Sequence, residues 1–197
     1  MKKVVLLDDP INFSYRERVK ELLSDIAEVA YFEGVNGYSD ALTWRAKSQF
    51  ETWENWNDID LVYWSTGLWD HRRTLDDGEP LITAEQYLHY NRRLHRQLTR
   101  HAKHLVFATV TPAGEGYKYD PKGDFGIPRE EWNREVAEYN TIITAYLKYE
   151  GVNIHDLYSF LEAHTEYLGE NGFFLTEEGA EAVAQEVAGF IRRLLTE

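Results

Sequence analysis

Short runs of β-branched and apolar residues alternate along this chain with longer stretches whose apolar positions recur every three or four residues. The short runs fall at residues 4–7, 29–32, 61–64, 105–109 and 152–154. Each is of strand length and bounded by polar or turn-forming residues. The longer stretches predict helices over residues 15–26, 39–56, 84–100, 129–150 and 177–195. Thr83-Ala84-Glu85-Gln86 has the spacing of a capping box, and Ser39-Asp40 reads as an N-cap pair. Strands separated by helices of this length imply a parallel sheet covered on both faces. Right-handed crossovers then make the fold α/β, a three-layer α/β/α sandwich of about five strands. No internal repeat and no linker-like shift in composition divides the chain, so residues 1–197 read as one domain.

Two connections are longer than this topology needs, residues 67–81 and residues 110–127. Both follow the carboxyl ends of strands, where open α/β sheets bind their ligands, and long loops there usually carry function.

Composition narrows the function classes. With 43% apolar and 28% charged residues the chain reads as a soluble globular protein. A formal net charge of −13 argues against nucleic acid and anionic membranes as partners. No apolar run approaches a bilayer span and the N-terminus lacks a signal-peptide pattern, so a cytoplasmic location is expected. The absence of cysteine removes disulfides, thiolate catalysis and Cys-type zinc sites. Aromatic residues are the outlier at 14%, with six Trp and thirteen Tyr. Most belong in the core, and a minority are available to line a pocket.

Two segments near the ends hold the candidate chemistry. Leu7-Asp8-Asp9-Pro10-Ile11 follows the first strand, and Asn171-Gly172-Phe173-Phe174-Leu175-Thr176 leads into the last helix. The first resembles the Gly-Asp-Ser-Ile block of the SGNH (GDSL-type) hydrolases, and the second resembles their Asp-Gly-Val-His-Leu-Thr block. Ser65-Thr66-Gly67-Leu68-Trp69-Asp70 looks like the family's Gly-x-Asn-Asp block, and Gly37 or Gly34 matches the glycine whose amide joins the oxyanion hole. Phe107-Ala108-Thr109-Val110-Thr111-Pro112 and Leu175-Thr176-Glu177-Glu178-Gly179 also look family-like, so the resemblance covers nearly the whole chain. It implies a flavodoxin-like sheet and an esterase scaffold.

On the same resemblance, the catalytic positions are all substituted. Pro10 stands for the nucleophilic Ser, Asn171 for the orienting Asp, Phe174 for the general-base His and Trp69 for the oxyanion-hole Asn. Proline lacks both the hydroxyl and the backbone N–H that the family uses as a donor. Phe174 cannot accept a proton. Loss of one oxyanion donor alone costs about 3–4 kcal/mol of transition-state stabilisation. The family mechanism is therefore not expected.

The unusual residues crowd at the strand ends: Asp8, Asp9, Pro10, Asn12, Phe13, Tyr38, Trp64, Ser65, Thr66, Trp69, Phe173 and Phe174. Such clustering is the pattern of a natural pseudoenzyme or of an engineered, redesigned site, rebuilt to hold a small, aromatic molecule without metal or cofactor. Asp9 has two readings. It caps the first helix, or, walled by Phe13, Trp64 and Phe174, it has a raised pKa and acts as a general base. Trp64, Trp69, Phe173 and Phe174 each read as core or as pocket wall, with core favoured for Trp64 and pocket for Phe174. The competing reading is an active esterase on acetylated sugars or small esters, using Ser65 with His71 six residues on. A third is an interaction protein with no ligand. Asp70 and His71 with Asp8 or Asp9 make a poor metal set, His89, His95, His101 and His104 form no metal motif, and Glu130, Glu131, Glu135 and Glu138 read as a solvated helix face.

Overall fold

A computed structural model describes residues 1–7, 10–32, 37–52, 58–75 and 77–196. The strands are β1 (Lys2–Leu7), β2 (Ala27–Tyr31), β3 (Ile59–Trp64), β4 (Ala102–Ala108) and β5 (Asn153–His155). The helices are α1 (Arg16–Leu22), α2 (Ser39–Thr52), α3 (Ala84–Leu98), α4 (Arg129–Tyr149), α5 (Leu157–Ala163) and α6 (Glu177–Thr196). All pairings are parallel and the strand order is β2-β1-β3-β4-β5. This is the flavodoxin-like order, with its topological switch point at the carboxyl ends of β1 and β3. The expected three-layer α/β/α sandwich is therefore the observed one.

Alternation along the strands builds two cores. Val4, Leu6, Leu61, Tyr63 and Val106 face α1, α5 and α6, while Val5, Leu7, Val62, Trp64 and Phe107 face α2, α3 and α4. A third cluster lies past the strand ends, where Leu68, Val110, Ala113, Tyr117, Trp132, Val136 and Phe173 meet. This cluster positions the site. No described helix is long and apolar enough to cross a membrane.

Two helices depart from the sequence expectation, and the end of a third falls outside the described residues. Helix α1 stops at Leu22 rather than near residue 26, and Ser24 Oγ donates to the Glu21 carbonyl at 2.7 Å. A hydroxyl that takes up a terminal carbonyl competes with helix continuation. Helix α2 ends at Thr52, and the expected extension to residue 56 lies outside the described residues. Helix α5 was not anticipated, because seven residues are too few to display a period. Its cap is nevertheless local: Asp156 accepts from the Ser159 N–H at 3.1 Å and from Ser159 Oγ at 2.7 Å.

The connection after β4 is held by two carboxamides on one face of α4. Asn140 accepts from the Val110 N–H at 2.9 Å and donates Nδ2 to the Val110 carbonyl at 2.8 Å. Asn133, two turns earlier, does the same for Ala113 at 2.7 and 3.0 Å. Each amide mimics a neighbouring strand, continuing backbone pairing where the sheet has ended. Asn140 and Val110 are both buried, so truncation leaves two backbone groups without water or partner. Asn140→Ala is expected to lower unfolding free energy by about 2–4 kcal/mol in urea titration. A loss under about 0.5 kcal/mol would show that the clamp contributes nothing net.

Candidate functional site

Five connections converge at the switch point. Pro10 opens a 3-10 turn after β1, Gly37 precedes α2, and Leu68–His71 forms a second 3-10 turn after β3. Residues 109–128 and the turn before α6 complete the set. Gly37 has φ of +61°, and a Cβ there would lie 2.3 Å from Trp69 Cδ1, 2.8 Å from its Nε1 and 2.7 Å from Pro10 Cγ. The indole therefore rests against bare backbone, and the main-chain N–H of Trp69 donates to the Gly37 carbonyl at 2.9 Å. Thus Pro10, Gly37 and Trp69 are brought together from three connections.

The turn before α6 is built by Asn171 and Gly172. Asn171 Oδ1 accepts from the Phe173 and Phe174 N–H groups at 3.0 and 2.9 Å, an Asx turn. Gly172 has φ of +76° and no room for a side chain, since a Cβ would lie 2.4 Å from the Tyr117 nitrogen. A bridge between Leu168 and Leu175 closes the base of the turn. Its product is the placement of Phe173 at the centre of an aromatic cluster. Phe173 meets Trp69 edge-on at 5.1 Å, Phe125 at 5.3 Å and Trp132 at 5.3 Å between ring centroids.

Above this floor lies a cleft of about 430 Å³ lined by Trp69, Lys118, Phe125, Glu170, Asn171, Phe173 and Phe174. Phe173 is 5% exposed, whereas Trp69, Phe125 and Phe174 are half-buried and present ring surface to the cleft. Larger grooves, of about 600 and 820 Å³, lie between α2 and α3 and beside the start of α6. Charged side chains, Asp40, Arg45 and Arg93 in the first and Arg18, Glu166 and Glu181 in the second, line these grooves.

Of the residues singled out from sequence, Trp69, Phe173 and Phe174 line the cleft, and Pro10 is buried behind Trp69. Asp8 and Asp9, with Gly34, lie outside the described residues. Trp64 is not a pocket wall. It is fully buried on the α2–α3–α4 side, edge-on to Phe107 at 5.4 Å. Phe13 is not in the cleft lining either; the Arg16 guanidinium sits 4.0 Å from its ring centroid and 4.0 Å from that of Tyr31. Tyr38 accepts from Arg72 Nη1 at 2.7 Å beside the cleft. Asn12, Ser65 and Thr66 are buried, and the Thr66 carbonyl accepts from Tyr87 Oη at 3.1 Å. Ser39 is the first residue of α2 rather than its cap. Its N–H donates to Asp70 Oδ1 at 3.0 Å, so a carboxylate from another loop satisfies the helix N-terminus.

The main residue missed from sequence is Glu135. Expected on a solvated face, it is half-buried and joins α4 to the loop after β3. His71 Nδ1 lies 2.7 Å from its Oε1, and Arg73 donates to both oxygens at 3.1 and 2.6 Å. Arg73 also donates to the His71 carbonyl. Burial pushes the His71 imidazole below its ordinary 6.5 despite the carboxylate, so the neutral ring donates from Nδ1. Burial alone would raise the Glu135 carboxyl, but the hydrogen bonds and charges of His71 and Arg73 outweigh it and hold it below the ordinary 4.5. The partners are more than sixty positions away in sequence, and no local pattern encodes such a pairing. His71 is 1% exposed and packs against Trp132 and Tyr139. An accessible Ser65–His71 nucleophile and base is therefore not what the structure presents. Asp70 and His71 turn to Ser39 and Glu135 respectively, and do not converge as metal ligands.

Solved structures share this architecture. A member of the lipolytic protein G-D-S-L family from Veillonella parvula matches with a TM-score of 0.73 and 13% identity, covering 98% of this chain and 100% of that one. The acetyl xylan esterase AlAXEase matches with a TM-score of 0.73 and 18% identity, over 96% and 99% of the two chains. A catalytic mutant of Axe2, an acetylxylan esterase from Geobacillus stearothermophilus, matches at 0.71 and 16%, over 98% and 94%. At these identities the likeness establishes the fold. No protein-family profile matches the sequence, and comparison with curated proteins returns no match.

Two outcomes follow from this geometry. Gly37→Ala adds left-handed strain to a clash with the indole, and is expected to cost about 2 kcal/mol or more in urea titration. Its emission spectrum is expected to shift as Trp69 is displaced; an unchanged spectrum and midpoint would contradict the packing. The second concerns pH. His71, His95, His101 and His155 are all held below 6.5 chiefly by burial. As pH falls through that value the unfolded chain takes up protons first, so these groups favour the fold above it and cease to do so below. The urea midpoint is expected to fall between about pH 7.5 and about pH 5, with a shallower slope in His71→Gln.

Proposed function

We propose that this chain is an SGNH-type scaffold without serine-esterase chemistry, which holds a small aromatic molecule in the cleft at the strand carboxyl ends. The observation that carries the reading is the convergence of Trp69, Phe125, Phe173 and Phe174 on one cleft of about 430 Å³ at the switch point of the sheet. Open α/β folds place ligands at that point, and rings with exposed faces offer stacking partners there.

The same positions speak against ester hydrolysis by the family route. Pro10 has no hydroxyl and no N–H, and Phe174 has no proton-accepting atom. Asn171 spends its Oδ1 on two backbone N–H groups. The Trp69 indole covers Gly37, the remaining glycine of the resemblance within the described residues. Asp9 stands in this reading as a general base for a bound ligand, on sequence grounds.

The test compares the chain with the triple variant Pro10→Ser, Asn171→Asp, Phe174→His. Aspartate at position 171 keeps the oxygen that accepts from both N–H groups, so the turn survives the change. The chain is expected to leave p-nitrophenyl acetate at the buffer rate, and the variant to accelerate its hydrolysis. Calorimetric titration of the chain with indole is expected to saturate, and Trp69→Ala to weaken binding about fivefold or more. Turnover of the ester by the unsubstituted chain would sink the proposal.

A further inference from the structure

The cleft carries more than rings. Lys118, from the loop after β4, and Glu170, from the turn before α6, both line it and both are exposed. Among the described residues neither takes part in an ion pair, with the other or with any third side chain. The two segments that bear them are joined main chain to main chain, the Gly114 N–H donating to the Gly172 carbonyl at 2.7 Å. Asn171, next to Glu170 in the chain, also lines the cleft. Its Oδ1 is committed to the turn, which leaves the Nδ2 donors for a ligand. One aromatic cleft thus offers an uncommitted cation, an uncommitted anion and an amide donor at its rim.

We infer that the cleft takes a zwitterionic aromatic molecule of the aromatic amino-acid class. The inference rests on the small-molecule reading above and specifies its ligand. The ring lies against Trp69, Phe125 and Phe174; the carboxylate meets Lys118 and the Asn171 amide; the ammonium meets Glu170. Whole-molecule electrostatics support the choice. A net charge of −13 repels a simple aromatic carboxylate, whereas a zwitterion carries no net charge into that field. A simple aromatic amine gains from the field but leaves Lys118 facing its own like charge.

The experiment is calorimetric titration with three probes that share a ring and differ in charge: L-phenylalanine, 3-phenylpropionate and phenethylamine. L-Phenylalanine is expected to bind more tightly than either partial probe, by about two- to fivefold for each exposed charge pair. Glu170→Gln is expected to bring L-phenylalanine down to the affinity of 3-phenylpropionate, and Lys118→Met to bring it down to that of phenethylamine. Both side chains are exposed, so both variants retain the fold, which urea titration checks. If either partial probe binds as tightly as L-phenylalanine, the zwitterion inference is overturned and the aromatic cleft stands. Binding of indole with none of the three probes bound has the same meaning. If neither indole nor any probe binds, both readings fail.

Discussion

Bare backbone at position 37 is the constraint on which the whole end of the sheet depends. With no Cβ there, the Trp69 indole settles onto Gly37 and against Pro10, and its other edge becomes the wall on which Phe173 packs at 5.1 Å. A side chain at position 37 would push the indole outward, and the ring cluster would lose its inner layer. The connection after β2 thereby sets the position of a ring on the connection after β3, which sets the floor of a cleft completed by the turn before α6. Close packing transmits such a constraint because interiors have no slack to absorb it.

The loops that carry these rings are anchored from outside the cleft. Glu135 on α4 ties His71 and Arg73 into one buried group, and Asn133 and Asn140 on the same helix hold the segment after β4. Helix α4 therefore serves as a rail to which both long connections are fastened. Long loops ordinarily carry large conformational entropy, and polar pairs at several points along them limit it. Trp69 on one loop and Phe125 on the other are thereby held in tilted ring contact, their centroids 6.3 Å apart and their planes at 54°.

Much of the fold was legible because its signals are local. The five strands, the five expected helices (α1 shorter than expected) and the Thr83 capping box all appear among the described residues in the predicted order. The candidate site was legible only in part. Phe173 and Phe174 could be assigned to the cleft because they lie in the second end segment, and Trp69 because it lies in the block after the third strand. Trp64 and Phe13 have the same composition signal but belong to the core and to a cation–π stack with Arg16. Side-chain direction at a strand end depends on the sheet and the helices over it, which residue type does not report. Lys118, Phe125 and Glu170 escaped notice because loop residues carry no periodicity, and Glu135 because a half-buried carboxylate and a solvated one look alike in a charged run.

The buried His71–Glu135 pair has the form of a catalytic base with its orienting carboxylate, and its surroundings explain why it reads as architecture. A general base must exchange its proton with substrate or water. His71 is enclosed by Trp132 and Tyr139, and Arg73 shares the carboxylate that would otherwise stabilise an imidazolium. With Glu135 divided between two donors and burial already disfavouring the charged ring, protonation of His71 would place two cations against one anion in a nearly dry space. The neutral imidazole is the stable form, and a neutral ring that neither charges nor reaches solvent works as a hydrogen-bonding strut. The buried group of His71, Arg73 and Glu135 accordingly holds the loop after β3 in shape, while the exposed charges of Lys118 and Glu170 lie at the cleft.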